Sequence, residues 1–429
     1  MEGAVVERPN IVLIVTDDQD LRSMMELRPP RAPLAGEPVM ARTIARTPIE
    51  WENAVANNPL CGPSRATVWT GQRSVNHGVV TNTNPVGTLD MENLLPVWLQ
   101  EGGYKTALVG KSINGYTSAT PLPGWGTYFV MRLPDQYYEY QISHDGNLLH
   151  FGSEPHDYST DILSEFACNF VQETAEPFFL QLCYNAPHAV SGIVPLQSTP
   201  AERHRLLWNG IGLTHPPSFN EEDVSDKPPQ IQSLPLLDAQ DVSQIDLARR
   251  RRYETLLAVD EGIEGLFAAL EAMGKLSRTV VIFMSDNGFQ YGEHRLVSVK
   301  AQRYEESVRI PMRAWVPWMA PETRWTPVSN VDIAPTIMSL AGLQGKPQFD
   351  GASLFSDLSA RTGVHIERPG WVGWRTPLYK IVQENSGFVE LYNLAAQGDG
   401  CHAPDPFELE NSEALSCYRM LKQQLLDEL

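Results

Sequence analysis

Four short apolar runs along the chain each stop abruptly at polar residues. Residues 10–15 (NIVLIV) give way to Thr16, Asp17 and Asp18, and residues 279–284 (TVVIFM) to Ser285, Asp286, Asn287 and Gly288. Residues 178–184 (FFLQLCY) lead into Asn185, Ala186, Pro187 and His188, and residues 105–109 (KTALV) into Gly110 and Lys111. Runs of this length without polar alternation are the pattern of strands buried on both faces. Between them lie segments with apolar residues near the helical period: 94–101, 158–173 and 249–273. Strands alternating with helices predict an α/β fold, a mostly parallel sheet covered on both faces. Ligands of such sheets sit beyond the carboxyl ends of the strands. All four runs place their polar residues at that end.

The rest of the chain is less periodic. Residues 191–243 are rich in proline and polar residues, the composition and length of a lid or linker. Residues 329–343 (SNVDIAPTIMSLAGL) read as a loop, a helix with Pro335 in its first turn, and a glycine stop. After residue 358 the apolar runs shorten. Segments 370–382 and 388–394 read as antiparallel strands and 412–429 as an amphipathic helix. The expected organisation is a catalytic α/β domain over 1–358 and a small α+β domain, with an antiparallel sheet, over 359–429.

Composition narrows the function classes. A formal net charge of -19 argues against nucleic acid as a partner. It leaves small anionic substrates open, because over a Debye length of about 8 Å local groups decide. No run of 18 apolar residues predicts a membrane span. The N-terminal MEGAVVERPN has no apolar core of a secretory signal, which points to the cytoplasm, or to export if a signal was removed. The five cysteines are too few for a disulfide scaffold. Cys168 and Cys183 lie in apolar stretches and read as buried thiols, while Cys401 and Cys417 flank a polar loop and are a candidate pair.

The polar strand ends carry the chemistry. Asp17, Asp18, Asp286 and Asn287 brought together at one sheet edge would repel without a cation, and all-oxygen ligands select a hard ion such as calcium or magnesium. Taken singly, such residues also serve as caps and turns. Arg65, Lys111 and Lys300 come from the same polar segments and suit a substrate with several anionic oxygens. His188 follows a buried strand and can act as a general acid for a leaving alcohol. His77 and His294 sit in polar contexts that by themselves favour structural histidines. The run Arg249 to Arg252 reads as a solvated helix face with i,i+4 pairs. Cys61, in NNPLCGPSRATVWTGQ, has no second Cys or His nearby, so it is either a core thiol or a chemical centre.

CGPSR fits the Cys-x-Pro-x-Arg signature of type I sulfatases, and ATVWTGQ resembles its usual continuation. PNIVLIVTDDQD, LPVWLQEGGYKTALVGK, YNAPH, FNEEDVSDKP, SDNGFQYGEHRL, KAQRYEESVRIP and VDIAPTIMSLAG extend the resemblance, in order and spacing, over most of the chain. The chain most resembles the branch holding N-acetylglucosamine-6-sulfatases and related arylsulfatases. The resemblance implies the alkaline-phosphatase-like fold. It implies a cysteine, Cys61, oxidised to formylglycine by a formylglycine-generating enzyme. It also implies a calcium ion held by Asp17, Asp18, Asp286, Asn287 and the modified Cys61. Arg65 would position the aldehyde hydrate, Lys111 and Lys300 would bind sulfate oxygens, and His188 would contact the sulfate or protonate the leaving oxygen. Asn114 and His294 join as implied substrate contacts, and the implied substrate is a small sulfated sugar or aryl sulfate. The hydrate explains the choice of residue: one hydroxyl attacks the ester, and the other lets the aldehyde reform as sulfate leaves.

Two departures stand out. Many sulfatases carry Lys-x-His after the fourth strand; here GKSINGY puts Ile113 at that histidine, followed by Asn114. ELYNL resembles the family's ELYDL, but AAQGDGCHAPDP departs from what usually follows. Two other functions stay open at this point. One is a phosphoester or phosphonate monoester hydrolase on the same scaffold. The other is a binding protein whose cysteine is never oxidised.

Overall fold

The computed structural model describes residues 8–133, 135–190, 197–395, 398 and 400–429. Among these residues one large sheet has the strand order Glu322–Arg324, Ile49–Trp51, Met312–Trp315, Thr279–Ser285, Asn10–Thr16, Phe178–Cys183, Lys105–Gly110, Thr127–Met131, Tyr140–His144 and Asn147–Phe151. The strands from Thr279–Ser285 to Thr127–Met131 run parallel, and pairing turns antiparallel at both flanks. All four strands expected from the apolar runs are among the parallel ones. Their register carries the functional consequence. Val15 pairs with Met284 and with Cys183, and Gly110 pairs with Cys183. The four strands therefore end at one level, and the polar residues after them emerge side by side.

The period of two in a strand explains the layers. Ile11, Leu13 and Val15 face one core with Trp69, Leu95, Leu108 and Ile337. Val12 and Ile14 face the other with Leu163, Leu180, Leu256 and Val259. The first face is covered by the helices Cys61–Thr70, Leu95–Glu101 and Ile333–Leu340, the second by Ser159–Glu173 and Ala239–Ala272. Each fully buried aliphatic side chain of this kind contributes roughly 1.5–3 kcal/mol.

The Ala239–Ala272 helix begins ten residues before the periodic segment 249–273. Its first turns are too polar to show a stripe. They are held instead by Asp238, whose side chain accepts from the backbone N–H groups of Gln240 and Asp241 in a capping box. Of the 191–243 segment, residues 191–196 lie outside the described residues. From residue 197 on it is anchored by buried Trp208, Val224 and Ile231 and holds the short helix Pro229–Gln232. None of the described helices is long and apolar enough to cross a membrane.

The C-terminal part carries a separate antiparallel sheet, Val364–Arg368, Trp371–Arg375, Tyr379–Glu384 and Val389–Asn393. The expected helix over 412–429 is shorter than its amphipathic pattern. Only Arg419–Leu426 is α-helical, after the 3-10 turns Ser412–Ala414 and Ser416–Tyr418. Cys401 and Cys417 form a disulfide with Cα atoms 6.0 Å apart, which fastens that turn to the preceding loop. Cys183 is a buried free thiol, and Cys168 is only partly buried.

Candidate functional site

Four strand-end segments, one helix start and the loop that carries Lys300 build the site. After Asn10–Thr16 the chain turns sharply, with Asp18 at φ 65°, a left-handed conformation that Asp tolerates better than most residues. Asp17 N–H donates to Ala186 O (3.1 Å), Asp18 N–H to Asp286 Oδ1 (3.0 Å) and Asp286 N–H to Thr16 O (3.0 Å), so three strand ends are tied together. Lys111 N–H donates to Cys183 O (2.9 Å) and fixes the fourth. Gly288 lets the turn after Asn287 pass close to another segment: a Cβ there would lie 2.0 Å from Glu306 O. Cys61 is the first residue of the buried Cys61–Thr70 helix and lies at its electropositive end. Gly71, at φ 67°, closes that helix.

Around Cys61 Sγ stand Asp17 Oδ1 at 3.3 Å, Asp18 Oδ1 at 3.7 Å and Lys300 Nζ at 2.8 Å. Lys300 Nζ also reaches Asp18 Oδ1 at 2.5 Å, and Lys111 Nζ is paired with Asp17 Oδ2. Arg65 forks onto Asp286 Oδ2 through Nε (3.1 Å) and Nη2 (2.9 Å) and donates from Nη1 to Lys111 O (3.0 Å). His188 Nε2 lies 3.5 Å from Asp18 Oδ2, and its Nδ1 is 2.7 Å from Ala189 O. Asn287 Nδ2 donates to Asp18 Oδ1 at 2.8 Å. The nine residues Asp17, Asp18, Cys61, Arg65, Lys111, His188, Asp286, Asn287 and Lys300, separated by up to 283 positions in sequence, thus meet in one cluster.

The electrostatics follow from burial and opposed charges. Burial alone would raise the Asp17 carboxyl, but Lys111, His188, Arg65 and Lys300 hold it well below the usual range. Burial and the Asp17 carboxylate push the Asp286 carboxyl up, against the pull of Arg65. Burial, with Asp17, also pushes the Cys61 thiol far up, although Lys111 and Lys300 oppose it. The upward shift makes the plain thiol of Cys61 a poorer nucleophile than an exposed one.

The donor set fits a cation. Single ligand atoms of Asp17, Asp18, Cys61 and His188 lie within 4.8 Å of one another. Asn287 Oδ1 is buried beside them without a hydrogen-bond partner, an acceptor whose burial is costly unless a positive group meets it. Carboxylate and amide oxygens of this kind suit a hard divalent ion.

Beside the cluster lies a cavity of about 300 Å³. Lys111 and His188 line it on the side of the cluster, and Asn114, Tyr116, Arg132 and Asp135 line it as well. Asn114 Oδ1 is buried there without a partner. Ile113 is buried in the core and offers no polar group. His294, expected as a substrate contact, is not in this cavity. It is fully buried, with Nδ1 2.6 Å from Glu221 Oε2 and its ring stacked on Tyr304 at 4.0 Å. The hairpin bearing it folds back onto residues 218–221 rather than toward the strand ends. His77 is a buried structural histidine, bonded through Nε2 to Thr67 Oγ1 at 3.0 Å.

Arg252, in a run whose composition predicts a solvated face, is not solvated. It is buried, stacked under Phe289 and Tyr291, and donates from Nη2 to Asp18 O and from Nη1 to Pro187 O (3.1 Å). One guanidinium thus braces both the aspartate turn and the loop before His188. Arg249 is buried as well, bonded to Tyr253 Oη at 3.0 Å. The signal lay in the spacing: Arg249, Arg252 and Leu256 share the helix face that enters the core.

The sulfatase family model matches residues 9–343. Human N-acetylglucosamine-6-sulfatase is 31% identical over 396 residues, covering 86% of this chain and 68% of that protein. An arylsulfatase of Volvox carteri is 31% identical over 393 residues, covering 82% and 59%. The chain spans between about a third and two thirds of the length of the curated relatives it matches. A protein solved in complex with its substrate D-glucosamine-2-N,6-O-disulfate superposes with a TM-score of 0.79 at 24% identity, over 98% of this chain and 97% of that one.

Proposed function

Because the chain belongs to the sulfatase family, we propose that it hydrolyses sulfate monoesters of sugars or aryl alcohols at a nucleophile made from Cys61. The observation that carries this is the position of Cys61 Sγ, 3.3 Å from Asp17 Oδ1 and 2.8 Å from Lys300 Nζ in a buried, charge-matched cluster. A core thiol needs neither neighbour.

Oxidation of Cys61 to formylglycine supplies a hydrated aldehyde, which is both a hydroxyl nucleophile and its own release group. Asp17, Asp18, Asp286 and Asn287 would hold a calcium ion, which when bound offsets charge on the sulfate oxygens. The chain's own side chains do the rest. Arg65, anchored on Asp286 and on the Lys111 carbonyl, orients the residue at position 61. Lys111 and Lys300 already stand at the cluster, so charge developing on the sulfuryl oxygens would meet positive groups close by. His188 stands between the cluster and the outer cavity, where a leaving oxygen would emerge, and protonates it or holds the sulfate. Asn114 lines the same cavity and would face the leaving alcohol.

The division near residue 358 is proposed on the same footing, since the last strand of the large sheet precedes it and the small sheet begins at Val364.

The test is to produce the protein with and without a formylglycine-generating enzyme. Intact mass should fall by about 18 Da, the change from thiol to aldehyde, only in the first sample. Hydrolysis of 4-nitrophenyl sulfate should appear only there and exceed that of phenyl phosphonate. Equal rates from the unmodified thiol would end the reading, and a preference for phosphonate would move the chain to the other ester class.

A further inference from the structure

Away from the strand ends, His294, Glu306 and Glu408 converge. One ring nitrogen of the histidine and one carboxylate oxygen of each acid lie within 4.8 Å of one another. The three come from separate places: the turn after Tyr291, the helix Glu305–Val308, and the C-terminal segment beyond the small sheet. His294 is fully buried and Glu408 is 1% exposed.

The hydrogen bonds leave two atoms of this trio, His294 Nε2 and Glu306 Oε2, without a donor. His294 Nδ1 stands 2.6 Å from Glu221 Oε2, and Lys227 Nζ backs that carboxylate at 3.3 Å. An imidazole that gives its Nδ1 proton to a carboxylate keeps a bare lone pair on Nε2. Among the described residues no donor reaches His294 Nε2 or Glu306 Oε2, and both atoms are buried. Lys380 pairs with Glu408 and with Glu305 (3.3 Å), Glu408 Oε2 accepts from Glu305 N–H at 2.7 Å, and Ser218 Oγ donates to Glu306 Oε1 at 3.2 Å, so these contacts serve Glu305, Glu408 and the other oxygen of Glu306. Acceptors facing one another in a dry interior are costly unless something electropositive lies between them.

We infer that His294, Glu306 and Glu408 hold a second divalent cation, separate from the strand-end cluster. One imidazole and two carboxylates suit a borderline ion of the zinc or manganese kind better than calcium. Glu221 takes the place that an outer carboxylate takes behind a metal-bound histidine, where it fixes the tautomer and the ring. A cavity of about 330 Å³, walled in part by Arg22, Glu293, Glu305, Glu306 and Phe407, lies beside Glu306. Bound there, the ion ties the C-terminal segment to two segments of the large domain. The inference does not depend on the oxidation of Cys61.

Zinc is the probe. Protein stripped with a chelator and then saturated with calcium is titrated with zinc by calorimetry, and crystals grown with zinc are measured at its absorption edge. One zinc per chain should bind, with an anomalous peak beside His294 Nε2. His294→Gln and Glu306→Gln should each weaken zinc at least about tenfold, while Asp286→Asn leaves it in place. No zinc uptake by the calcium-loaded wild type, or peaks only on the surface, overturns the inference and leaves the trio sharing a proton. Should the variants fail to fold, the wild-type diffraction result decides alone.

Discussion

Lys300 Nζ stands 2.8 Å from Cys61 Sγ and, in the same position, 2.5 Å from Asp18 Oδ1. A single ammonium therefore joins the proposed nucleophile to a proposed metal ligand, although 239 residues separate the first pair. Lys300→Ala should lower kcat by about 10²–10³-fold, the scale of removing one preorganised oxyanion partner. Steady-state kinetics on 4-nitrophenyl sulfate check this, and an unchanged kcat would remove Lys300 from the reaction.

Cys61→Ala should abolish turnover, by at least about a thousandfold on the scale of other nucleophile deletions. The fold should survive, since the substitution empties only a small volume at a helix start and costs about 1 kcal/mol or less. Circular dichroism melts and activity are to be read on the same sample. Wild-type rates in this variant would dismiss the nucleophile assignment.

Asp286→Ala should weaken calcium binding and activity together. It also leaves the buried Arg65 guanidinium unpaired, a loss of about 3–5 kcal/mol in comparable pairs. Calorimetry with calcium separates the two effects, because an unchanged metal affinity in a destabilised variant would mean that the ion sits elsewhere.

Arg252 touches no proposed substrate atom, so its effect should pass through position alone. Arg252→Met should lower kcat at least about tenfold with little change in KM. Arg252→Lys should not rescue it, because an ammonium cannot fork onto the Asp18 and Pro187 carbonyls. A kcat equal to wild type in both variants would show that the two loops hold their places without it.

His77 gives a pH signature in stability. Burial pushes its pKa down to about 4, and its Nδ1 already accepts the Val79 N–H at 3.1 Å, so a proton there would face another N–H. The unfolded chain, with a His pKa near 6.5, binds more protons between these values, so stability falls as pH drops from about 6.5 to 4. The loss from this residue is at most about 3 kcal/mol at the bottom of the window. Thermal melts from pH 7 to 4.5 should show a shallower slope for His77→Gln. An identical slope would place the acid sensitivity in other groups, with His365, also lowered to about 4 by burial, the next to change.

The strands and their polar ends were legible in the chain because a strand buried on both faces needs an unbroken apolar run, and such a run is a local property. Asp17, Asp18, Lys111, His188, Asp286 and Asn287 are legible for the same reason, whereas Cys61, Arg65 and Lys300 follow none of these runs and are marked by the sulfatase resemblance. The neighbours of each were not legible. Arg252 lies in a run of four arginines that looks solvated, yet it is buried because the helix presents that face to the strand-end loops. His294 sits in a polar hairpin and turned out to serve Glu221, since partner choice depends on which distant segment packs against it. The first ten residues of the long helix, the strand Val364–Arg368 and the Cys401–Cys417 link were likewise decided by packing and capping. Local pattern sets which elements form and where chemistry can gather, whereas burial, charge pairing and side-chain direction are set only when segments hundreds of residues apart come into register.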